Sequence, residues 1–369
     1  MTSPVTTEHP TLERINAYRD FQRDEGIPVI RGFAVEDLNE VELAPWARKG
    51  GRGSYINLDG TGGTNDAYVC EIPPGGSLNP GRQLFEEMIY VLEGNGSTQV
   101  WYDEGKKVSF EWKQGSLFAT PLNAWHRHYN GRGDRPARFL AVTNAPVVMN
   151  LFHNVKFVFE TPFVFDDRFA GQHDFFANEG KMYRARNNFV LATNFVPDTQ
   201  AIELYTWKER GAGGKNVMFE LADNTMAAHI SEFPIATYKK AHRHGPGAHV
   251  IILNGQGFSL LWPEGKDWEK VDWRPGTMVV PPEHWFHQHF NSGPTPARYL
   301  ALRWGSRRYD LGGAIQAGEG TSDVDVKQGG AQIEYPDEDH AIHELFEGEV
   351  RRNGAICHMR SMIPWCTGE

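Results

Sequence analysis

The stretches AHRHGPGAHVIILNGQG at residues 241–257 and GTMVVPPEHWFHQHFN at 276–291 decide the fold of this chain. His242 and His244 are two residues apart on a strand-like segment, so their side chains leave the same face of the strand. His287 follows about forty residues later, after a glycine, an apolar run and a proline. Because an antiparallel sheet can bring His287 opposite the first pair, the pattern predicts three imidazoles on one side of a β structure.

The chain repeats itself, and a shift of 161 residues lays one half on the other without a gap through most of its length. The shift carries Trp46 onto Trp207, EIP at 71–73 onto EFP at 232–234, GNG at 94–96 onto GQG at 255–257, and His126 and His128 onto His287 and His289. One residue later in register, PARFLA at 136–141 matches PARYLA at 296–301. The repeat predicts two domains of the same fold.

Within each copy, short apolar or alternating runs such as EMIYVLEG and HVIILNG are separated by Gly, Pro and Asn turns, which is typical of strands. The GNG and GQG tripeptides lie between two such runs, so we expect each to form a hairpin tip. The fold class is therefore predicted to be all-β, with two tandem jelly-roll barrels and short terminal helices.

Helix is expected mainly at the two ends, in TLERINAYRDFQRDEG at 11–26 and in DEDHAIHELFEGEVRRNG at 337–354. Five segments follow: an N-terminal helical extension (1–44), a first barrel (45–160), a connecting segment (161–205), a second barrel (206–310) and a C-terminal tail with a helix (311–369).

Composition narrows the class of protein. The 369 residues are 40% hydrophobic and 23% charged, which is typical of globular proteins, and a net charge of -10 argues against a nucleic-acid partner. Neither a signal sequence nor an apolar run long enough to span a bilayer is evident, so no membrane association and a cytoplasmic location are expected. Cys70, Cys357 and Cys366 are widely spaced without a CxxC pair, and we expect reduced thiols with neither a disulfide nor a metal-binding role.

Imidazole nitrogens suit divalent iron, copper, nickel, manganese or zinc, so His242, His244 and His287 are the predicted metal ligands. His289 shares the face of His287, which predicts a hydrogen-bonding or proton-transfer role. His249 should leave the barrel interior if Ala248 faces it, but a bulge could reverse this, so both a catalytic and a structural role stay open.

Two further observations concern the surroundings of the site. His284 and Trp285, in the turn before the last strand of the motif, could line the pocket mouth or simply form the turn. In the first copy, Gly81 and Gln83 replace the histidine pair and only Glu87, His126 and His128 remain. A structural first barrel with a weak or absent ion is therefore expected.

The motifs quoted above resemble those of the tandem cupins, or bicupins, whose barrels are double-stranded β-helices. They are most similar to the gentisate and hydroxynaphthoate ring-cleaving dioxygenases, on HRHGPGA at 242–248 and HWFHQHFN at 284–291 in the second half and AWHRHYN at 124–130 in the first. The resemblance implies three-histidine Fe(II) ligation by His242, His244 and His287. One departure is that the complete site lies in the second barrel rather than the first.

If that chemistry holds, the chain is a mononuclear non-haem Fe(II) dioxygenase acting on dioxygen and a small, aromatic hydroxy acid. Arg303 is the first choice for a cation that holds the substrate carboxylate, ahead of Arg243 and Arg298. The alternatives are a metal-dependent decarboxylase, lyase or isomerase using Fe, Mn, Ni, Cu or Zn, and a non-catalytic small-molecule binder. A homo-oligomer, dimer or tetramer, is expected.

Overall fold

The protein was analysed as a computed structural model that describes residues 12–185, 188–311 and 322–368. Within those ranges the helices are α1 (Ala17–Glu25), α2 (Ala145–Phe152), α3 (Val155–Glu160) and α4 (His340–Arg352). The strands are, in chain order, β1 (Val29–Gly32), β2 (Ala34–Val35), β3 (Ala44–Trp46), β4 (Gly51–Leu58), β5 (Asp66–Ile72), β6 (Glu87–Glu93), β7 (Asn95–Trp101), β8 (Val108–Lys113), β9 (Leu117–Ala119), β10 (Trp125–Asn130), β11 (Ala137–Thr143), β12 (Gly180–Ala185), β13 (Asn188–Thr193), β14 (Phe195–Val196), β15 (Tyr205–Thr206), β16 (Lys215–Leu221), β17 (Met226–Phe233), β18 (Thr237–Tyr238), β19 (His249–Asn254), β20 (Gly257–Trp262), β21 (Glu269–Trp273), β22 (Met278–Val279), β23 (Phe286–Asn291) and β24 (Ala297–Trp304).

Each half folds as a large sheet with a smaller one. In the first half the large sheet has the order β1-β4-β5-β11-β6-β9-β14, with β3 beside β4, and the small sheet has the order β10-β7-β8. In the second half the orders are β12-β13-β16-β17-β24-β19-β22-β2, with β15 beside β16, and β18-β23-β20-β21. Strands β5 to β11 of the first half thus recur as β17 and β19 to β24, which confirms the predicted all-β architecture of two tandem jelly-roll units.

The two halves exchange their edge strands. Strand β2, from the first half, pairs with β22 of the second, and β14, which follows the first unit, pairs back onto β9. Equivalent side-chain hydrogen bonds stabilise both exchanges. The hydroxyl of Thr277 donates to the carbonyl of Glu36 at 2.8 Å, and the hydroxyl of Ser116 donates to the carbonyl of Pro197 at 2.8 Å. The units are consequently interlocked rather than joined by a loose linker.

A core shared by both halves explains why the central strands are apolar on both faces. In β6, Met88 and Tyr90 enter a buried cluster that also contains Ile251 and Met278 of the second half. The alternate residue Ile89 faces the interior of the first unit instead. A strand that is covered on both faces has a continuous apolar sequence. The removal of both faces from water is the main driving force for the packing of the two halves.

The predicted hairpin tips are wrong in one respect. Gly94 and Gly255 do take positive φ, at 88° and 85°, but the strands on either side lie in different sheets, so each tripeptide is a corner between sheets. A Cβ on Gly96 or Gly257 would lie 2.0 or 1.9 Å from a backbone carbonyl oxygen of the neighbouring strand. Glycine is required there because the two backbones approach so closely.

The terminal and connecting segments contain more structure than their composition predicts. The extension 1–44 holds α1 but also β1, which pairs in parallel with β4, and the segment 161–205 supplies β12 to β14 and the first residue of β15. In the tail, α4 confirms the predicted helix. Residues 1–11 and 312–321, which belong to the predicted extension and tail, lie outside the described residues. No helix in the described ranges has the length and apolarity that crossing a membrane requires.

Candidate metal centre

The three predicted ligands converge. The candidate ligand atoms of His242, His244 and His287 all lie within 4.8 Å of one another, and the ring centroids are separated by 4.2 to 5.6 Å. His287 is 3% exposed and His242 is 9% exposed, whereas His244 is half-buried, so the cluster is shielded from bulk water on most sides. Three imidazoles from two segments therefore meet around one point that an ion could occupy.

Backbone pairing brings these side chains together. The amide of His242 donates to the carbonyl of His287 at 3.1 Å, and the amide of His287 donates back to the carbonyl of His242 at 2.9 Å. On its other side, the 242 segment is bridged to Gln332 from the C-terminal tail. His287 thus lies on β23, and His242 is paired to it on one side and to the tail on the other, whereas His244 lies in the irregular segment that follows.

The hydrogen bonds of the rings suit metal binding. The Nδ1 of His244 lies 3.1 Å from the carbonyl of Gly245, and the Nδ1 of His287 lies 3.3 Å from that of Trp285. A proton on each Nδ1 leaves the Nε2 lone pair free. The Nδ1 of His242 is buried without a hydrogen-bond partner.

The electrostatics keep these rings neutral. Burial lowers the pKa of His287 to about 4 and, together with the nearby cations, holds the pKa values of His242 and His244 well below the ordinary value. Neutral imidazole is the form that binds a metal, so at neutral pH protons do not compete for these sites. Ala248, where the first half has Glu87, is buried in the interior cluster of the second unit. The donor set accordingly fits a divalent ion with three nitrogen ligands.

His289 lies on the face of His287, as its spacing predicts, with ring centroids 5.7 Å apart. Its Nδ1 lies 2.7 Å from the hydroxyl of Ser259, which accepts a bond from the indole of Trp273 at 3.2 Å. The first half reproduces this network with His128, Thr98 and Trp112, again related by the shift of 161 residues. The first half has this network although it lacks the histidine pair, so the network belongs to the fold that both halves share and does not depend on the histidine cluster. Any proton-transfer role of His289 stays a prediction.

His249 does not belong to the site, which corrects its place among the catalytic candidates. Ala248 and Val250 face the barrel interior, so His249, between them, points the other way. The His249 ring is fully buried between the two halves, and its Nδ1 lies 3.1 Å from the amide nitrogen of Asn65. No bulge reverses the alternation at this residue, and we assign it a structural role.

The structure separates the three candidate arginines. Arg243 points outward to Glu264 at 2.7 Å, and Arg298 is held by Glu232 at 2.8 Å and by backbone carbonyls. Arg303 alternates with Tyr299 on the inward face of β24 and is half-buried. Its charge lowers the pKa of His244, after the larger effects of burial and of His287. Arg303 is therefore the arginine of the three that faces the imidazole cluster.

Sequence reasoning missed two buried cations. Arg210 bonds to the side chain of Gln332 at 3.2 Å, and burial lowers its pKa to about 10. Lys239 is buried against Ser231 and Tyr299, and burial lowers its pKa as well. The internal repeat could have indicated Arg210, because the shift of 161 residues aligns it with Lys49, which is also basic. For Lys239, we find no comparable signal.

The turn before β23 has a mainly structural character. The amide of His284 donates to the carbonyl of His244 at 2.9 Å, and the backbone at His284 has a φ of 63°. Its side chain is 67% exposed, and Trp285 packs on Phe33 at 5.9 Å between ring centroids. The backbone of this turn thus positions a ligand, while the imidazole of His284 faces solvent.

The first half keeps a second cluster. The candidate ligand atoms of Glu87, His126 and His128 also lie within 4.8 Å of one another, and all three residues are buried. Glu87 is engaged by the hydroxyl of Tyr68, which accepts a bond from Lys49 at 2.7 Å. A cavity of about 210 Å³, lined by both aromatic and polar residues, adjoins both histidines. These residues form a small polar network, and the strength of any ion binding there stays a prediction.

Known proteins are similar to this chain over limited lengths. Residues 68–143 match the family described as Cupin domain. The chain is 28% identical to 5-aminosalicylate 1,2-dioxygenase of Comamonas sp. over 155 residues, which are 39% of this chain and 38% of that enzyme. It is 32% identical to glucose-6-phosphate isomerase of Thermococcus gammatolerans over 97 residues, 25% of this chain and 50% of that protein. The matches therefore span half or less of either relative.

Among solved structures, oxalate decarboxylase of Bacillus subtilis is 13% identical with a TM-score of 0.47, over 81% of this chain and 85% of that one. Oxalate decarboxylase of Lactobacillus farciminis is 14% identical with a TM-score of 0.48, over 82% and 89% of the two chains. The match to the Cupin domain family lies in the first half, and the second half repeats the strand order and the polar network of the first.

Proposed function

We propose that this tandem-cupin protein is a mononuclear non-haem Fe(II) dioxygenase that acts on a small aromatic hydroxy acid. The observation that carries the proposal is the convergence of three neutral imidazoles, His242, His244 and His287, beside an inward-facing arginine. Bound Fe(II) would supply the means to bring an electron-rich substrate and dioxygen into reaction. Three protein ligands leave coordination positions open for both.

The residues around the cluster favour an anionic substrate. The charged side chains that most lower the pKa values of His242 and His244, beyond burial and the neighbouring imidazoles, are the cations Arg210 and Arg303. Such a surplus of positive charge in a buried site stabilises a carboxylate. Arg303 would orient the acid group of the substrate, and His289, held by Ser259, would accept or return a proton from a phenolic hydroxyl.

The sequence similarity to 5-aminosalicylate 1,2-dioxygenase supports the same substrate class, an aromatic ring that carries a carboxylate and a hydroxyl. It covers less than two fifths of either chain, so the substrate itself is proposed only as a class. The oligomeric state also stays a prediction.

Dioxygen consumption tests the proposal. Protein without a histidine tag is loaded anaerobically with Fe(II) and assayed in an oxygen electrode with gentisate, 5-aminosalicylate, salicylate and 1-hydroxy-2-naphthoate. We expect uptake of one dioxygen per substrate cleaved, abolished in His287→Ala and retained in the matched variant His284→Ala, whose imidazole faces solvent. Full iron occupancy with no uptake on any hydroxybenzoate would contradict the proposal.

A second candidate is a metal-dependent isomerase, lyase or decarboxylase at the same three histidines, in which the ion acts as a Lewis acid. The 32% identity to glucose-6-phosphate isomerase over 97 residues favours it. It predicts anaerobic turnover, for example of glucose 6-phosphate, supported by zinc or manganese. Protein that carries no metal at these histidines and retains a bound small molecule would favour the non-catalytic binder instead.

A further inference from the structure

A third cluster of metal-binding side chains lies in the C-terminal tail, away from both barrel clusters. His343 and Glu347 are one turn apart on α4, and Cys357 and Cys366 come from the segment after it. All four are buried, with exposures of 1%, 5%, 4% and 6%. The two cysteines were expected to be incidental because of their spacing, but the fold of the tail brings them together.

The separations of the four side chains match tetrahedral coordination. Their candidate ligand atoms lie within 4.8 Å of one another, with the two Sγ atoms 3.4 Å apart and the His343 Nε2 3.3 Å from a Glu347 carboxylate oxygen. Two thiolates on one tetrahedral zinc, at about 2.3 Å each, are separated by about 3.8 Å. A disulfide requires about 2.0 Å, so the sulfur atoms are spaced more as two ligands than as a bonded pair.

The hydrogen bonds of His343 aim a lone pair at the centre of the cluster. The hydroxyl of Tyr238 donates to Glu338 at 2.6 Å, so its oxygen is free to accept the Nδ1–H of His343 at 3.0 Å. This places the lone pair of His343 on Nε2, a buried atom without a hydrogen-bond partner. A lone pair on Nε2 that faces the Glu347 carboxylate is unfavourable, and either a proton on Nε2 or a metal ion between the two groups relieves this.

Glu347 is oriented in the same way. One of its carboxylate oxygens accepts bonds from the amide and hydroxyl of Thr367, at 2.9 and 2.8 Å, and from the amide of Gly368 at 3.3 Å. The same oxygen lies 3.3 Å from the Nε2 of His343, so these hydrogen bonds hold the carboxylate against the cluster. Hydrogen bonds that fix a ligating carboxylate are typical of metal sites in proteins.

We propose that His343, Glu347, Cys357 and Cys366 bind a structural zinc ion that is distinct from the ion of the second barrel. Nitrogen, sulfur and oxygen donors in a closed tetrahedral set select zinc, and four protein ligands leave no open position for a substrate. Binding displaces one proton from each thiol to solvent, and no oxidation or reduction is involved.

The ion would fasten the tail to the second barrel. Cys357 belongs to the same buried cluster as Phe290 of β23 and Phe346 of α4. The tail also supplies Gln332, which bridges the backbone of His242. Loss of the tail ion is therefore expected to loosen the segment that positions a catalytic-metal ligand, without removing any ligand of that centre.

Metal analysis separates the two centres. Untagged protein purified under reducing conditions is analysed for zinc and iron, together with Cys357→Ser/Cys366→Ser and the control Cys70→Ala, which removes a buried thiol of the first unit. We expect the double variant to lose one equivalent of zinc per chain and the control to lose none. His242→Ala/His287→Ala should lose the barrel ion and keep the tail zinc, so failure of the proposed enzyme function would not affect this result.

Cobalt substitution keeps the test decisive if the double variant does not fold. Wild-type protein reconstituted with Co(II) should show sulfur-to-cobalt charge-transfer absorption, which the three-histidine centre cannot produce. A denatured, metal-free sample should contain three reactive thiols per chain, in line with its free cysteines. Absence of the charge-transfer band in cobalt-loaded protein, or a single reactive thiol from a Cys357–Cys366 disulfide, would overturn the proposal.

Discussion

Acidification tests the position assigned to His249 between the two halves. The ring is fully buried, its Nδ1 lies 3.1 Å from the amide nitrogen of Asn65, and its Nε2 has no hydrogen-bond partner. Burial lowers the pKa of His249 from 6.5 to about 4, because a charged imidazole would lose its hydration there. The difference between these values corresponds to about 3 kcal/mol of unfolding free energy.

The direction of the effect follows from proton uptake. As the pH falls below 6.5, the unfolded chain binds a proton at His249, whereas the folded chain does not until the pH approaches about 4. The neutral ring therefore contributes its full stability above pH 6.5, and that contribution is lost as the pH falls towards 4. Replacing the imidazole with an amide removes this titration.

Urea denaturation of chelated protein between pH 7.5 and pH 4 measures the effect. The free energy of unfolding of wild type should decline more steeply than that of His249→Gln, by about 3 kcal/mol at the acidic end. His284→Gln, which alters a solvent-facing imidazole, should follow wild type. Superimposable declines for wild type and His249→Gln would refute the reasoning. At neutral pH, a folded His249→Gln protein should keep its metal content, because this side chain points away from the ligands.

Three further outcomes are expected. Ser259→Ala should lower the unfolding free energy by about 2 to 4 kcal/mol in chemical denaturation, because two buried partners, His289 among them, lose a hydrogen bond; Ser259→Thr should restore most of it. Arg303→Gln should raise the KM for a carboxylate substrate by about tenfold or more with little loss of bound metal, and an unchanged KM would exclude this arginine from substrate binding. Glu86→Ala should lower the free energy of unfolding by about 3 kcal/mol, because the buried Glu86 carboxylate accepts a hydrogen bond from the amide of Thr225 at 2.8 Å across the contact between the halves. Calorimetry checks this value.

Periodicity and repetition alone predicted the architecture and the three histidines that converge in the second half. Two histidines separated by one residue must share a face of a strand, which is a local property, so the pairing of His242 with His244 follows from the sequence. The repeat then placed His287 in the equivalent of a later strand. Alternation also gave the correct orientation of Ala248, which directly precedes β19. Arg243 points outward as predicted, although its segment is not a regular strand.

Other features of the protein depend on contacts between segments that are distant in the chain, so only the tertiary structure decided them. The exchange of β2 and β14 between the two halves leaves no local signal, because a two-residue strand has no periodicity of its own. Alternation turned His249 outward but did not reveal that Asn65 of the other half meets it. Cys357 and Cys366 meet because the tail folds back on α4, a packing that is set by the surface of the second barrel rather than by their spacing in the chain.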